Sequence, residues 1–275
     1  MQDKKIPEFI YGTAWKKDAT KELVLKALEA GFRGIDTANQ PKHYSEASVG
    51  EALKSAFKAG RKREDLFVQT KFTPLDGHDS RIPYDPDAEL ATQVGQSFSS
   101  SLKNLGVDYV DSYLLHSPLG SPDIGEEDLE VWRALEQLHE SKKARLIGVS
   151  NINALQLTHL AERARVGPML VQNRCYADRG WDNAVRRVCR AKGIIYQGFS
   201  LLTANSPFLR HPRVAGLCSK YGKTSAQVIF KFSQQIGILP LTGTSNESHM
   251  REDLGIGDFR LDGSEIESLE NVSIS

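Results

Sequence analysis

The sequence has little of several things. Its 275 residues include three cysteines, Cys175, Cys189 and Cys218, and no Cys-x-x-Cys pair. Neither a disulfide framework nor a structural zinc site is therefore indicated. No apolar run approaches the roughly 18 residues that a membrane-spanning helix needs. The start, Met1-Gln2-Asp3-Lys4-Lys5, is charged rather than signal-like, so a cytoplasmic protein is expected. Neither sign of charge is in excess: 35 Lys and Arg face 35 Asp and Glu, which removes any overall pull toward nucleic acid or a membrane surface. No G-x-G-x-x-G string follows a strand, as a Rossmann sheet would want, and no His-x-His or carboxylate pairs stand at strand ends, as a metal-dependent hydrolase would want. What remains, 40% apolar and 25% charged residues, is ordinary usage for a chain that buries a core.

What is present is an alternation. Strand-like apolar runs fall at 9–12, 32–37, 66–70, 109–115, 146–149, 169–171, 194–196 and 236–241. Between and after them, apolar residues recur at helical spacing over 18–30, 45–59, 87–105, 126–140, 154–164, 183–192, 213–221, 225–234, 248–254 and 264–270. Ser45 is placed to cap the second helix and Gly60 to end it. Residues 73–86, rich in Pro, Asp and Gly, read as a long loop. Strands alternating with helices imply right-handed βαβ units and a parallel sheet. Eight units in a chain of about 250 residues fit a closed (β/α)8 TIM barrel, an α/β fold, better than an open sheet. No linker divides the chain, so one domain over residues 1–275 is expected.

A parallel barrel carries its active site at the C-terminal ends of its strands. Here those ends read Gly12-Thr13, Asp36-Thr37, Lys71, His116, Ser150-Asn151, Gln172-Asn173, Ser200 and Thr242. An acid, a base, an imidazole and an amide thus converge on one rim.

The order and wording of these segments resemble the aldo-keto reductase superfamily over nearly the whole chain. The segments are Tyr11-Gly12-Thr13-Ala14-Trp15, Gly34-Ile35-Asp36-Thr37-Ala38 with Tyr44-Ser45-Glu46, Arg63 through Lys71, Asp108 through Pro118, and Ile147-Gly148-Val149-Ser150-Asn151. The resemblance implies reduction of an aldehyde or ketone to an alcohol with a nicotinamide cofactor, the small carbonyl compound being the partner. Its catalytic tetrad falls on Asp36, Tyr44, Lys71 and His116. Tyr44 would donate the proton, and Lys71 would lower its pKa. Asp36 would hold Lys71, and His116 would hydrogen-bond the substrate oxygen. The loop between aspartate and tyrosine is longer than the family's: Asp36 and Tyr44 are eight residues apart, and His43 is a lesser candidate for the acid.

By the same resemblance Ser150, Asn151 and Gln172 would bind the nicotinamide carboxamide, Phe199 would stack on its ring, and Gly12 and Thr13 would adjoin it. Ser200, Leu202 and Asn205 would follow the pyrophosphate, Thr242, Gly243, Thr244, Ser245 and His249 would hold phosphate, and Glu252 and Asp253 would meet the adenine. Leu241 stands where many members carry a lysine, and His249 is the best match to their arginine. A charge-assisted hydrogen bond is worth about 1.5–3 kcal/mol, so losing one erodes a phosphate preference by roughly tenfold to a hundredfold. NADP(H) is the expected cofactor, with NAD(H) open. Trp15 and His116 are expected to line the substrate pocket, as is Trp181 unless it packs in the core. Because the last helix lies close to Ser275, loops 73–86 and 117–126 are expected to wall that pocket. The alternative reading is a regulatory subunit of the same fold that senses bound cofactor without turnover.

Overall fold

A computed structural model describes residues 6–271 of the chain. Eight parallel strands close in sequence order: β1 (Ile10–Gly12), β2 (Gly34–Asp36), β3 (Phe67–Phe72), β4 (Val110–Leu115), β5 (Ala144–Ser150), β6 (Leu170–Arg174), β7 (Ile195–Phe199) and β8 (Ile238–Thr242). β1 pairs with both β2 and β8, which shuts the barrel. The α/β barrel expected from the sequence is the fold observed. β6 and β7 run further than their apolar stretches, because their polar C-terminal residues still pair, Arg174 with Phe199 among them.

The side-chain period of two divides each strand between two environments. Outward residues such as Tyr11, Ile35, Val68, Tyr113, Val171 and Tyr196 join the large core under the helices. The inward residues Ile10, Phe67, Leu114, Leu170 and Leu241 form a separate apolar cluster inside the barrel. Toward the strand C-termini the inward positions turn polar: Asp36, Gln69, Lys71, Gln172 and Gln197 are all buried. The site is built on this polar layer.

Helices follow the strands as the spacing predicts. α1 (Thr20–Ala30) buries Leu23, Val24, Ala27 and Leu28 and ends at Gly31, whose φ of +124° suits a residue without Cβ. α2 (Glu46–Lys58) lacks the cap expected of Ser45, whose hydroxyl instead donates to Ser48 Oγ at 2.8 Å. α3 (Leu90–Leu105) begins later than the sequence suggests. α4 (Glu126–Glu140), α5 (Ala154–Arg163) and α6 (Asn183–Lys192) match closely. A four-residue turn, α7 (Ser206–Leu209), is too short to show a period; α8 (Pro212–Tyr221), α9 (Ser225–Gln235), α10 (Glu247–Leu254) and α11 (Gly263–Glu270) complete the ring.

Trp181 packs in the core, 1% exposed between Phe208 and Phe232, rather than in a pocket. Arg186 donates to the carbonyls of Trp181 and Ile236 and to Glu270, which ties α11 to the barrel wall.

β5 passes close to β6 at Gly148. A Cβ there would lie 2.3 Å from the Leu170 carbonyl oxygen and 2.7 Å from Leu114 Cδ2. Gly148→Ala is expected to lower unfolding free energy by about 1–3 kcal/mol, read as a shifted urea midpoint with unchanged slope.

Candidate active site

The site begins with an ion pair that water does not reach. Lys71 is fully buried, and its Nζ lies 2.7 and 2.8 Å from the two carboxylate oxygens of Asp36 and 2.8 Å from the Thr37 carbonyl oxygen. All three ammonium hydrogens thus have acceptors. Asp36 Oδ1 also accepts from Gln69 Nε2 at 2.7 Å and Gln172 Nε2 at 3.0 Å. Gln197 joins those two amides: its Oε1 accepts from both, and its Nε2 donates to Gln69 Oε1. Three strands thus supply glutamines that hold one carboxylate in place. Burial pulls the Lys71 ammonium below its ordinary range, with Asp36 opposing.

Tyr44 is brought to this pair by the long loop. Its ring centroid lies 5.3 Å from Lys71 Nζ and 6.0 Å from the His116 ring. Asn39 Nδ2 donates to Ser97 O, Gln40 Nε2 to Gly77 O, and the amides of both His43 and Tyr44 to Gln40 O. The extra residues therefore form a pinned turn. It sends His43 outward to stack on Trp15 at 3.9 Å and sends Tyr44 inward, so the two candidates for the acid part company.

Of the opposing influences on the phenol, burial is the larger. Burial, with Asp36 adding, pushes the Tyr44 phenol above its ordinary range, and only Arg174 pulls it down. The phenol therefore stays protonated in the resting site. His116 is driven well below the usual imidazole range by burial first and Lys71 second. Thr73 Oγ1 lies 2.7 Å from His116 Nδ1; with the hydroxyl as donor, the ring proton is assigned to Nε2.

A cavity of about 600 Å³ contains Asp36, Tyr44 and His116 and continues toward the first turns of α9 and α10. Of the sequence-predicted cofactor residues, Gly12, Ser150, Asn151, Gln172, Phe199, Ser200, Leu202, Thr242, Gly243, Thr244, His249, Glu252 and Asp253 line it. Asn151, at φ +56°, donates from Nδ2 to His116 O at 2.8 Å and to Ser150 Oγ at 3.2 Å, leaving its carbonyl end uncommitted. Gln172 has its nitrogen engaged by Asp36 and Gln197, so it too offers an acceptor.

Three predicted residues lie elsewhere. Thr13 is buried with its hydroxyl donated to Asp36 O. Asn205 accepts from Ala177 N and donates to Cys175 O and Leu201 O, so its amide is consumed in bracing two loops. Ser245 is exposed and meets Lys16 Nζ at 3.5 Å. Trp15, 65% exposed, opens on a neighbouring crevice that also touches Tyr44.

The sequence reading missed Lys16 and the 224–226 turn, which also line the cavity. Lys16 Nζ bridges to Gly243 O, joining the loops after β1 and β8, and burial lowers its pKa. The Thr224-x-x-Gln227 capping box is a readable signal for a helix N-terminus, but only the fold shows where that terminus points.

Asp253 is 2% exposed at the far end of the cavity, and burial pushes its carboxyl up to about 6. A raised carboxyl pKa means that folding favours the protonated form. That contribution is complete below the unfolded pKa near 4 and is lost as pH rises through about 6. Asp253→Asn is therefore expected to stabilise the fold by about 1–3 kcal/mol at pH 7.5 and by nothing measurable at pH 4, followed by denaturant melts at the two pH values.

A family model described as the Aldo/keto reductase family matches residues 9–274. The aldo-keto reductase AKR2E4 of Bombyx mori is 30% identical over 279 residues, covering 95% of this chain and 86% of its own. The uncharacterised oxidoreductase YtbE of Bacillus subtilis is 32% identical over 240 residues, covering 86% and 78%. Among solved structures, MGS-M4, an aldo-keto reductase from a deep-sea metagenome library, superposes with a TM-score of 0.82 at 28% identity, over 98% of this chain and 93% of its own. The AKR2E4 complex with NADP gives 0.82 at 26% identity, over 96% and 88%. Barrel, strand-end residues and family match agree: the chain belongs to the aldo/keto reductase family of oxidoreductases.

Proposed function

We propose that the protein reduces an aldehyde or ketone to the alcohol with NADPH, Tyr44 donating the proton. The observation that carries this reading is the convergence of a protonated phenol, a neutral imidazole and a buried Asp36–Lys71 pair beside one cavity.

The cavity suits a dinucleotide. One end has the Phe199 ring and the free acceptors of Asn151 and Gln172; the other has the turns at 224–226 and 242–244 with Lys16. Hydroxyls, helix N-termini and an ammonium there are the donors phosphate oxygens require. Structures of relatives hold NADP or NADPH, which supports use of a nicotinamide cofactor. Bound there, a reduced nicotinamide supplies the hydride.

The chain's own residues supply the rest. As negative charge builds on the carbonyl oxygen, His116 Nε2–H donates a hydrogen bond and Tyr44 donates its proton. Lys71 then faces a phenolate rather than a phenol, and its charge stabilises that anion. Asp36, fixed by three glutamines, keeps the ammonium protonated and oriented despite its burial. The three cysteines are free, and no helix among the described residues is long and apolar enough to cross a membrane; both suit a cytoplasmic enzyme acting on small carbonyl compounds.

Tyr44→Phe is expected to lower kcat by about 100- to 10,000-fold while leaving NADPH affinity within about twofold, measured as loss of nicotinamide absorbance with a panel of aldehydes and ketones and by fluorescence titration. Unchanged turnover would remove Tyr44 from the acid role. Tight NADPH binding without oxidation by any carbonyl would fit the cofactor-sensing subunit instead. Titration is also expected to give NADPH an affinity roughly tenfold above NADH, and equal affinities would remove the phosphate preference.

A further inference from the structure

The inward rows of β6 and β7 run in register: Leu170 beside Ile195, Gln172 beside Gln197, Arg174 beside Phe199. Leu170 and Ile195 belong to the apolar cluster inside the barrel, and Gln172 and Gln197 to the polar layer around Asp36. Arg174 and Phe199 are the next step of the same row; Phe199 lines the cavity and the exposed Arg174 stands beside that ring. Period-two alternation therefore aims the Arg174 side chain toward the barrel axis over the site. Its guanidinium carbon lies 5.3 Å from the Phe199 ring centroid, a stacking contact that holds the group in place. Arg174 is exposed and, among the described residues, makes neither an ion pair nor a hydrogen bond. Its neighbour in the row, Phe199, offers only a ring face and no acceptor. Arg174 also opposes burial in setting the Tyr44 phenol, which places its charge within electrostatic reach of the proton donor.

We infer that Arg174 binds an anionic group on the substrate, so that the favoured substrates are aldehydes or ketones that also carry a carboxylate. A planar guanidinium presents parallel N–H donors that match a carboxylate, and a group already held against a ring loses less freedom on binding. The opposite lip of the mouth is compatible with a negative substrate. The crevice that shares Tyr44 carries Lys17 and Lys42 beside Asp18 and Glu46, with Arg81 already paired to Asp79, so acidic residues do not outnumber basic ones there.

This rests on the reductase reading, and the test separates the two. Steady-state kinetics with NADPH compare matched pairs: succinic semialdehyde against butanal, and para-carboxybenzaldehyde against benzaldehyde. In the wild type the carboxylate-bearing member is expected to have the higher kcat/KM, by roughly 10- to 100-fold, mainly through KM. In Arg174→Met that ratio is expected to fall toward one, and Arg174→Lys to recover part of it. No discrimination by the wild type, or a ratio unchanged in Arg174→Met, overturns the inference. So does a loss confined to NADPH affinity, which would assign Arg174 to the cofactor. A calorimetric titration of benzoate into enzyme saturated with NADP⁺ provides the second readout. Binding lost in Arg174→Met supports the anion site even if no aldehyde is reduced, and the reductase reading alone would then fall. Absence of benzoate binding to the wild type, alongside active reduction of neutral aldehydes, sinks the anion site alone.

Discussion

The buried contact between Lys71 and Asp36 is the constraint to which the rest of this structure answers. Removing two full charges from water costs several kcal/mol per ion, and mutual attraction offsets that only when the remaining donors and acceptors are also satisfied. The barrel meets the condition with backbone and side chains drawn from four strands or their ends: the Thr37 carbonyl for the ammonium, and Gln69 and Gln172, locked by Gln197, for the carboxylate. An apolar layer directly below, with Ile10, Phe67, Leu114 and Leu170 in it, would be a poor floor for charge. The glutamines are the transition between the two, neutral yet fully hydrogen-bonded.

The second consequence concerns where charge is absent. Burial pushes the Tyr44 phenol up and the His116 imidazole down, so both keep the forms that donate hydrogen bonds. Two cationic side chains lie apart from the buried pair. Lys16 spans the loops near the helix N-termini, and Arg174 stands beside the Phe199 ring.

Much of this was legible in the sequence, for identifiable reasons. The strands announced themselves because apolar runs separated helical periods, and the strand-end residues were informative because a parallel barrel gathers them at one rim. Asp36, Tyr44, Lys71 and His116 follow from that geometry together with the family resemblance. What failed depends on partners distant in sequence. Asn205 was read as a ligand contact, yet its amide braces loops at residues 175, 177 and 201. Thr13 points back to Asp36 O, and Trp15 turns outward because the lengthened loop offers it His43. Lys16 was overlooked since its target, Gly243, lies just after the strand that closes the barrel, more than two hundred residues away. The sign of the phenol's shift could not be read either, because it is set first by how deeply the ring is buried.

With Tyr44 as the proton donor proposed above, the pinned turn at residues 39–44 also limits how the site recovers after each cycle. Every hydrogen of Lys71 is already engaged, and the pair behind Tyr44 is sealed by glutamines and packed side chains. A phenol that has given up its proton therefore has no relay at its back. Its replacement must arrive through the front, along the route by which the alcohol leaves. Emptying the site and rearming it thus share one doorway, and a ligand that lingers there delays both.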